Sequence, residues 1–482
     1  MINKILITLV LIAISFASKA NTVINGETFK PFSGKTVNLI QYKDYVTKEY
    51  DIISSATIDK EGKFKFDVEL QKTQEAIIQV EYLIGIIYLD PNQEYTIYFP
   101  PKSEDGTYKL TRNNVNIVFK TIPENDVNGL ILEFDRYYDQ FVLDNKRNFG
   151  MPIFHSKLDS FKLKIKKVFD RVNNEFFAKY AKFSVGNLEL LSPAAYQKVN
   201  KLSIYNTYII NQAVDLNHPT QMRFLLNFYE KSLKNQQGKI GQAINQALTN
   251  KPSYLSISKA LSTDYFFKMR TVRELVIIEN LYTIYYDDLH YNPNVIIDLI
   301  TTGGLASENP DIHNMSQNII DRIMRNQKGT KAFPFQLMDK NKKPITLESF
   351  KGKYVYINFW AVWNKNSLAE MDLFRKMKAD YGDLISFVSI NIDSKKSKFD
   401  NFIASHPKHD WTMLHFWGNS NLLDQYQVYN IPHYVLLDRE GKIISSPAAK
   451  PSPDGNYVSI DKTFFEIKKK HTKKNTFNIG GK

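Results

Sequence analysis

The chain has 482 residues, of which 43% are hydrophobic and 23% charged, and it carries 32 Phe and 28 Tyr. Such a composition excludes wholesale disorder and provides apolar mass for about three domains. There is no Cys, which excludes disulfide staples, thiolate metal sites, cysteine nucleophiles, thiol redox chemistry and an N-terminal lipid-modified Cys. The net charge of +13 is spread along the chain, so it reads as a solvated Lys-rich surface and not as a nucleic-acid footprint.

Residues 1–20 read as a secretory signal peptide. Lys4 gives a short positive start, Ile5 to Phe16 an apolar core too short for a comfortable membrane span, and Ser18 and Ala20 the small residues of a cleavage site before Asn21. The expectation is a mature chain in the periplasm, in the cell envelope or outside the cell, with no stable membrane span once the signal is removed.

Residues 21–120 read as a small antiparallel β-sandwich. Lys35–Tyr42 partly alternates, and Ser54–Val68 holds two strand-like runs around an Asp59–Gly62 turn, with Phe64, Phe66 and Val68 on one face. Ala76–Tyr82, Gly85–Leu89 and Tyr95–Phe99 are further β-rich runs. Residues 121–328 read as an all-α middle region. Phe161, Ile165, Val168, Val172, Phe176 and Tyr180 recur at helical spacing, as do the apolar residues of Thr271–Tyr286 and Met315–Met324. Ser192-Pro193, Pro219, Pro252 and Pro293 mark helix starts, and Gly303-Gly304 breaks the pattern. The many aromatic rings here are expected as packing between helices.

Residues 329–471 alternate between strand-like and helix-like segments: Tyr354–Phe359, Ser367–Asp380, Leu384–Asn391, Lys398–Ser405, Leu422–Tyr426, Tyr434–Leu437 and Lys442–Ser445. That alternation predicts an α/β domain around one sheet. The run Lys468–Lys474 leads into a basic tail over residues 472–482, expected as disordered.

The α/β region resembles the thioredoxin-like fold, and within it the secreted thiol–disulfide oxidoreductases of the TlpA and ResA type (redoxin-like). Phe333-Pro334-Phe335-Gln336-Leu337 with Asp339 and Leu347–Phe350 is similar to that branch's entry motif. Lys351–Trp363 resembles its central strand and active-site loop, and Glu370-Met371 the helix that follows. Tyr429-Asn430-Ile431-Pro432-His433 resembles its cis-proline loop, and Val435–Asp438 with Gly441-Lys442-Ile443 its closing hairpin. The resemblance implies a peptide-binding groove at Trp360, Trp363, Lys365, Ile431, Pro432 and His433. The two Trp would frame the active-site loop, and the Ile431 backbone would pair with an extended segment.

Where the family carries Cys-x-x-Cys after the Trp, this chain reads Asn364-Lys365-Asn366-Ser367. In the family, the helix N-terminus lowers the first thiol's pKa, the thiolate attacks a disulfide, and the second Cys resolves the mixed intermediate. Asn364 has no ionisable nucleophile. The Ser367 hydroxyl titrates several units above a thiol, whereas a helix N-terminus contributes at most about 2 kcal/mol, roughly 1.5 pK units. Nor can an alkoxide exchange a disulfide. The expectation is a protein with no catalytic residues at these positions and no cofactor, acting as a binding or scaffolding component with an envelope or secreted protein or peptide as partner. The helix N–H groups near Ser367, with Lys365 beside them, could also hold a carboxylate or phosphate.

Other readings give an oxidoreductase by descent with a degenerate site, or a binding function carried by the β-rich or helical region. A hydrolase would need His433 within reach of Ser367. A metal at His406 and His409 lacks a carboxylate cluster, and the two read as surface histidines.

Overall fold

The computed structural model describes residues 21–81, 83–101, 113–123, 125–191, 198–287, 290–393, 395–416, 420–428, 430–453 and 459–479. The expected signal peptide, the Ser192-Pro193 helix start, Tyr82 and Tyr429 lie outside these residues.

The N-terminal region is a two-sheet sandwich. One sheet has the order Lys63–Glu69, Asn21–Thr28, Glu94–Phe99, Val118–Thr121, and the other Tyr50–Thr57, Thr36–Tyr42, Gln74–Val80, Leu83–Leu89, Asn113–Asn114. Most neighbours are antiparallel, but Asn21–Thr28 runs parallel to Glu94–Phe99, and Leu83–Leu89 parallel to Asn113–Asn114. Phe64, Phe66 and Val68 alternate inward as their spacing predicts, and both sheets contribute to one core around Ile24, Leu39, Ile78 and Ile97. The strand Asn21–Thr28 escapes an apolar pattern because its inward positions are Thr22, Ile24, Gly26 and Thr28. Gly26 is required: a Cβ there would lie 2.0 Å from Cζ of Phe64.

The middle region is helical from Val127 to Met324. The apolar run expected across Phe161–Tyr180 is two helices, Ile153–Val168 and Glu175–Leu190, because Asn174 caps a new helix by accepting from the Phe177 N–H. Pro219 and Pro293 sit in first turns, where the missing N–H costs nothing. Pro252 precedes the Ser253 cap of Tyr254–Ser262. Gly303-Gly304 ends a π-helical turn, Ile300–Gly304.

The C-terminal region is a seven-stranded sheet in the order Pro344–Thr346, Gln336–Asp339, Thr412–His415, Ile385–Asn391, Tyr354–Trp360, His433–Leu437, Ile443–Ser445. The central strand Tyr354–Trp360 is buried on both faces, as its unbroken β-branched and aromatic run requires. Val355, Ile357 and Phe359 join one core, and Tyr356 and Trp360 the other, where the helix Lys365–Tyr381 packs through Met371, Phe374 and Met377. The expectation of a disordered basic tail is corrected for its described part: the helix Ile460–Ile479 runs into it as far as Ile479. Phe464 anchors this helix at 0% exposure against Tyr356 and Phe387, and the Lys run continues it as a good helix former.

The three regions are joined by polar seams. Glu49 accepts from Arg322 at 2.5 Å and from Arg325 at 2.7 Å. Burial opposes its ionisation, yet the two guanidiniums hold the carboxyl below its usual range. Asn318 donates to Asp44, Asn326 to the Gln425 carbonyl, and Gln427 to the Arg322 carbonyl.

Candidate functional site: the helix start after the central strand

The central strand ends at Trp360, and the chain turns over Ala361–Asn364 into the helix Lys365–Tyr381. The turn is pinned from below: the Val362 N–H donates to Asp393 at 2.7 Å, and Asn391 donates to the same carboxylate at 2.8 Å. Asp393 is buried, and its only signal in the sequence is that a carboxylate follows the strand Ile385–Asn391 by two residues.

Asn364 is the N-cap. Its Oδ1 accepts from the Ser367 N–H at 2.8 Å, and its Nδ2 donates to the Ile431 carbonyl at 3.3 Å. The amide orientation follows from chemistry, since an N–H needs the oxygen and a carbonyl needs the NH2. One side chain therefore caps the helix and bridges to the loop before Pro432. The Ile431–Pro432 peptide is cis. Of the N–H groups near the helix start that could hold a carboxylate or phosphate, the cap takes the one of Ser367. Lys365 is exposed on the first turn.

Ser367 is 0% exposed, and its Oγ has no hydrogen-bond partner among the described residues. His433 Nε2 is likewise buried and unpartnered, and burial pushes its imidazole down to about 4. The two are not hydrogen-bonded to each other. His433 lies beside Phe359, whose side chain belongs to the opposite face of the sheet from Met371 and Phe374 of the Ser367 helix. No Ser–His relay is assembled.

The two tryptophans separate. Trp360 is 0% exposed and packs on Phe402 at 4.7 Å, so it is a core residue and not a groove wall. Trp363 is 43% exposed and borders a cavity of about 770 Å3 with Leu368, Phe402, His406 and His409. His409 is buried, not on the surface, and its ring stacks on His406 and lies tilted against Trp411. Glu370, on the helix's next turn, accepts from the Ser452 N–H and hydroxyl and so ties the helix to the segment after the closing hairpin.

A strand–turn–helix with a cis-proline loop across from the helix start, set in a mixed sheet with a parallel centre, defines the class as thioredoxin-like. Sequence comparison agrees: residues 352–443 match the family described as thioredoxin-like. Among curated proteins, the chain is similar to the thioredoxin-like protein YneN of Bacillus subtilis, 28% identical over 130 residues, covering 27% of this chain and 76% of that one. It is also similar to the thiol-disulfide oxidoreductase ResA of Bacillus cereus, 26% identical over 151 residues, covering 31% of this chain and 83% of that one. Among solved structures, a Bacteroides vulgatus protein described as a candidate thiol-disulfide oxidoreductase is 30% identical and covers 30% of this chain and 92% of that one, with a TM-score of 0.26. The C-terminal region of this chain is a thioredoxin-like domain related to the thiol-disulfide oxidoreductases.

Proposed function

We propose that this chain is a thioredoxin-like protein of the cell envelope that binds an extended peptide or protein segment and does not exchange disulfides. The observation that carries the reading is the state of the two positions after Trp363. The first holds an Asn whose amide is committed to the helix cap and to Ile431, and the second a Ser buried out of reach. Neither supplies sulfur, and no Cys stands elsewhere in the chain. Exposed Trp363 and Lys365, with the adjoining cavity, give a binding surface that needs no nucleophile. The Ile431 carbonyl retains one lone pair beside its bond to Asn364, so a segment can pair there only by sharing or displacing that amide.

The test is insulin reduction by the full chain with dithiothreitol present, using the double variant Asn364→Cys/Ser367→Cys as the reference for a restored sulfur pair. The parent is expected to add nothing to the rate of dithiothreitol alone; acceleration by the parent would end the redox-inactive reading. For the binding half, affinity capture from envelope extract should lose its partner on Trp363→Ala. An unchanged catch moves the contact away from this loop.

A further inference from the structure

A second cavity, of about 660 Å3, lies where the three regions meet. The sandwich lines it with Tyr42, Tyr45 and Ile86, the helices with Arg223 and Leu226, and the thioredoxin-like domain with Leu423. The volume falls within the range of small-molecule sites, and such sites favour domain interfaces. The wall is preformed, because the Glu49–Arg322–Arg325 network and the Asn326 and Gln427 bonds already hold the three regions together.

Four cationic side chains, Lys48, Arg223, Arg322 and Arg325, face three acidic ones, Glu49, Glu75 and Asp424. Glu49 engages both Arg322 and Arg325. Arg223 is different. It is exposed, it forms no hydrogen bond or ion pair among the described residues, and its charge acts on the nearby Glu75. The Glu75 carboxyl accepts from the Tyr45 hydroxyl at 3.3 Å and makes no hydrogen bond with the guanidinium among the described residues. The result is an uncommitted planar fork of N–H donors at the edge of a tyrosine- and isoleucine-lined space.

We propose that the cavity between the three regions binds an amphipathic organic anion, its apolar body against Tyr42, Tyr45 and Ile86 and its anionic head paired with the Arg223 guanidinium. The two-point recognition follows from the lining: the rings and Ile86 favour an apolar body, and an Arg fork favours a planar carboxylate or a sulfonate. Burial pushes the Glu75 carboxyl up to about 7, so near neutrality about half of it is the neutral acid and its repulsion of the head is reduced. The inference stands apart from the Trp363 surface and does not depend on it.

The test uses two fluorescent probes on the full chain. 1-Anilinonaphthalene-8-sulfonate carries the anion, and N-phenyl-1-naphthylamine carries the same aromatic body without it. The parent is expected to bind the sulfonate saturably at one site. Arg223→Gln should weaken the sulfonate about tenfold or more, the scale of a lost charge-assisted bond, and leave the neutral probe unchanged. Ile86→Trp, which fills the cavity from an exposed position, should weaken both probes. Absence of saturable binding to the parent overturns the proposal. So does an Arg223→Gln variant that leaves sulfonate affinity unchanged or weakens both probes equally, or an Ile86→Trp variant that leaves both unchanged. Both substituted side chains are exposed, so each variant keeps the cores intact.

Discussion

The start of the helix Lys365–Tyr381 and the cavity between the three regions are both polar sites, and their polar groups have opposite fates. At the helix start, the Asn364 amide is committed twice over, the Ser367 N–H is taken, and the Ser367 hydroxyl is sealed in the core. At the cavity, Glu49 consumes two guanidiniums while Arg223 stays uncommitted. At the helix start the Asn364 amide and the Ser367 N–H serve the architecture, bound from within. A guanidinium with no bonded partner among the described residues, set beside tyrosine rings, keeps the capacity to recognise something else.

The largest expected effect probes the first half of that contrast. Trp360→Ala should destabilise the C-terminal domain by about 3–5 kcal/mol, as large-to-small changes in a packed core do, while Trp363→Ala should stay within about 0.5 kcal/mol. Urea titration followed by circular dichroism measures both. Similar costs for the two would place Trp363 in the core and remove the binding surface.

The next effect sharpens the second half. Burial raises the Glu75 carboxyl from its ordinary 4.5 to about 7. The folded state therefore holds this proton more tightly than the unfolded state, and the stabilisation is fully present below about pH 4.5 and lost as pH rises through about 7. Glu75→Gln removes that dependence, so its stability relative to the parent should rise between about pH 4 and pH 8 by at most about 3 kcal/mol. Parallel stability profiles for parent and variant would show that Glu75 is not shielded in the cavity wall.

The smallest effect separates the two bonds of Asn364. Asn364→Ala should cost about 1 kcal/mol through loss of the cap, whereas Asn364→Asp should keep most of that stability, since a carboxylate caps well and suits the helix N-terminus. Asp cannot donate to Ile431 when ionised, so only the bridge is lost. A full-sized loss in the Asp variant would shift the weight from the cap to the bridge.

Much of the C-terminal fold is legible in the sequence because its strands and helices alternate with distinct periods and its turn residues are explicit. The inward set Phe64, Phe66 and Val68 is legible for the same reason. The strand Asn21–Thr28 is hidden because close approach of the Phe64 ring demands Gly26, and small or polar residues hold three of its four inward positions. The resemblance puts Trp360 at the groove, and the strand's own pattern does not oppose this, because both faces of the central strand are apolar and alternation cannot distinguish a groove wall from a core. The substitution at Asn364 is plain in the sequence; its second bond, to a carbonyl 67 residues away, is not. The cavity is invisible at that level, since Tyr45, Arg223 and Leu423 share no local pattern and meet only through tertiary packing.

The parallel pairing of Asn21–Thr28 with Glu94–Phe99 has a consequence for the order of events during synthesis. That strand is the earliest of its sheet to be made, yet it lies between Lys63–Glu69 and Glu94–Phe99 and stays open along one edge until Phe99 has emerged. The hairpin of Thr36–Tyr42 with Tyr50–Thr57 can zip long before. The nascent chain thus carries a ribbon open along one edge through the making of its first hundred residues or so, with closure governed by a distant contact.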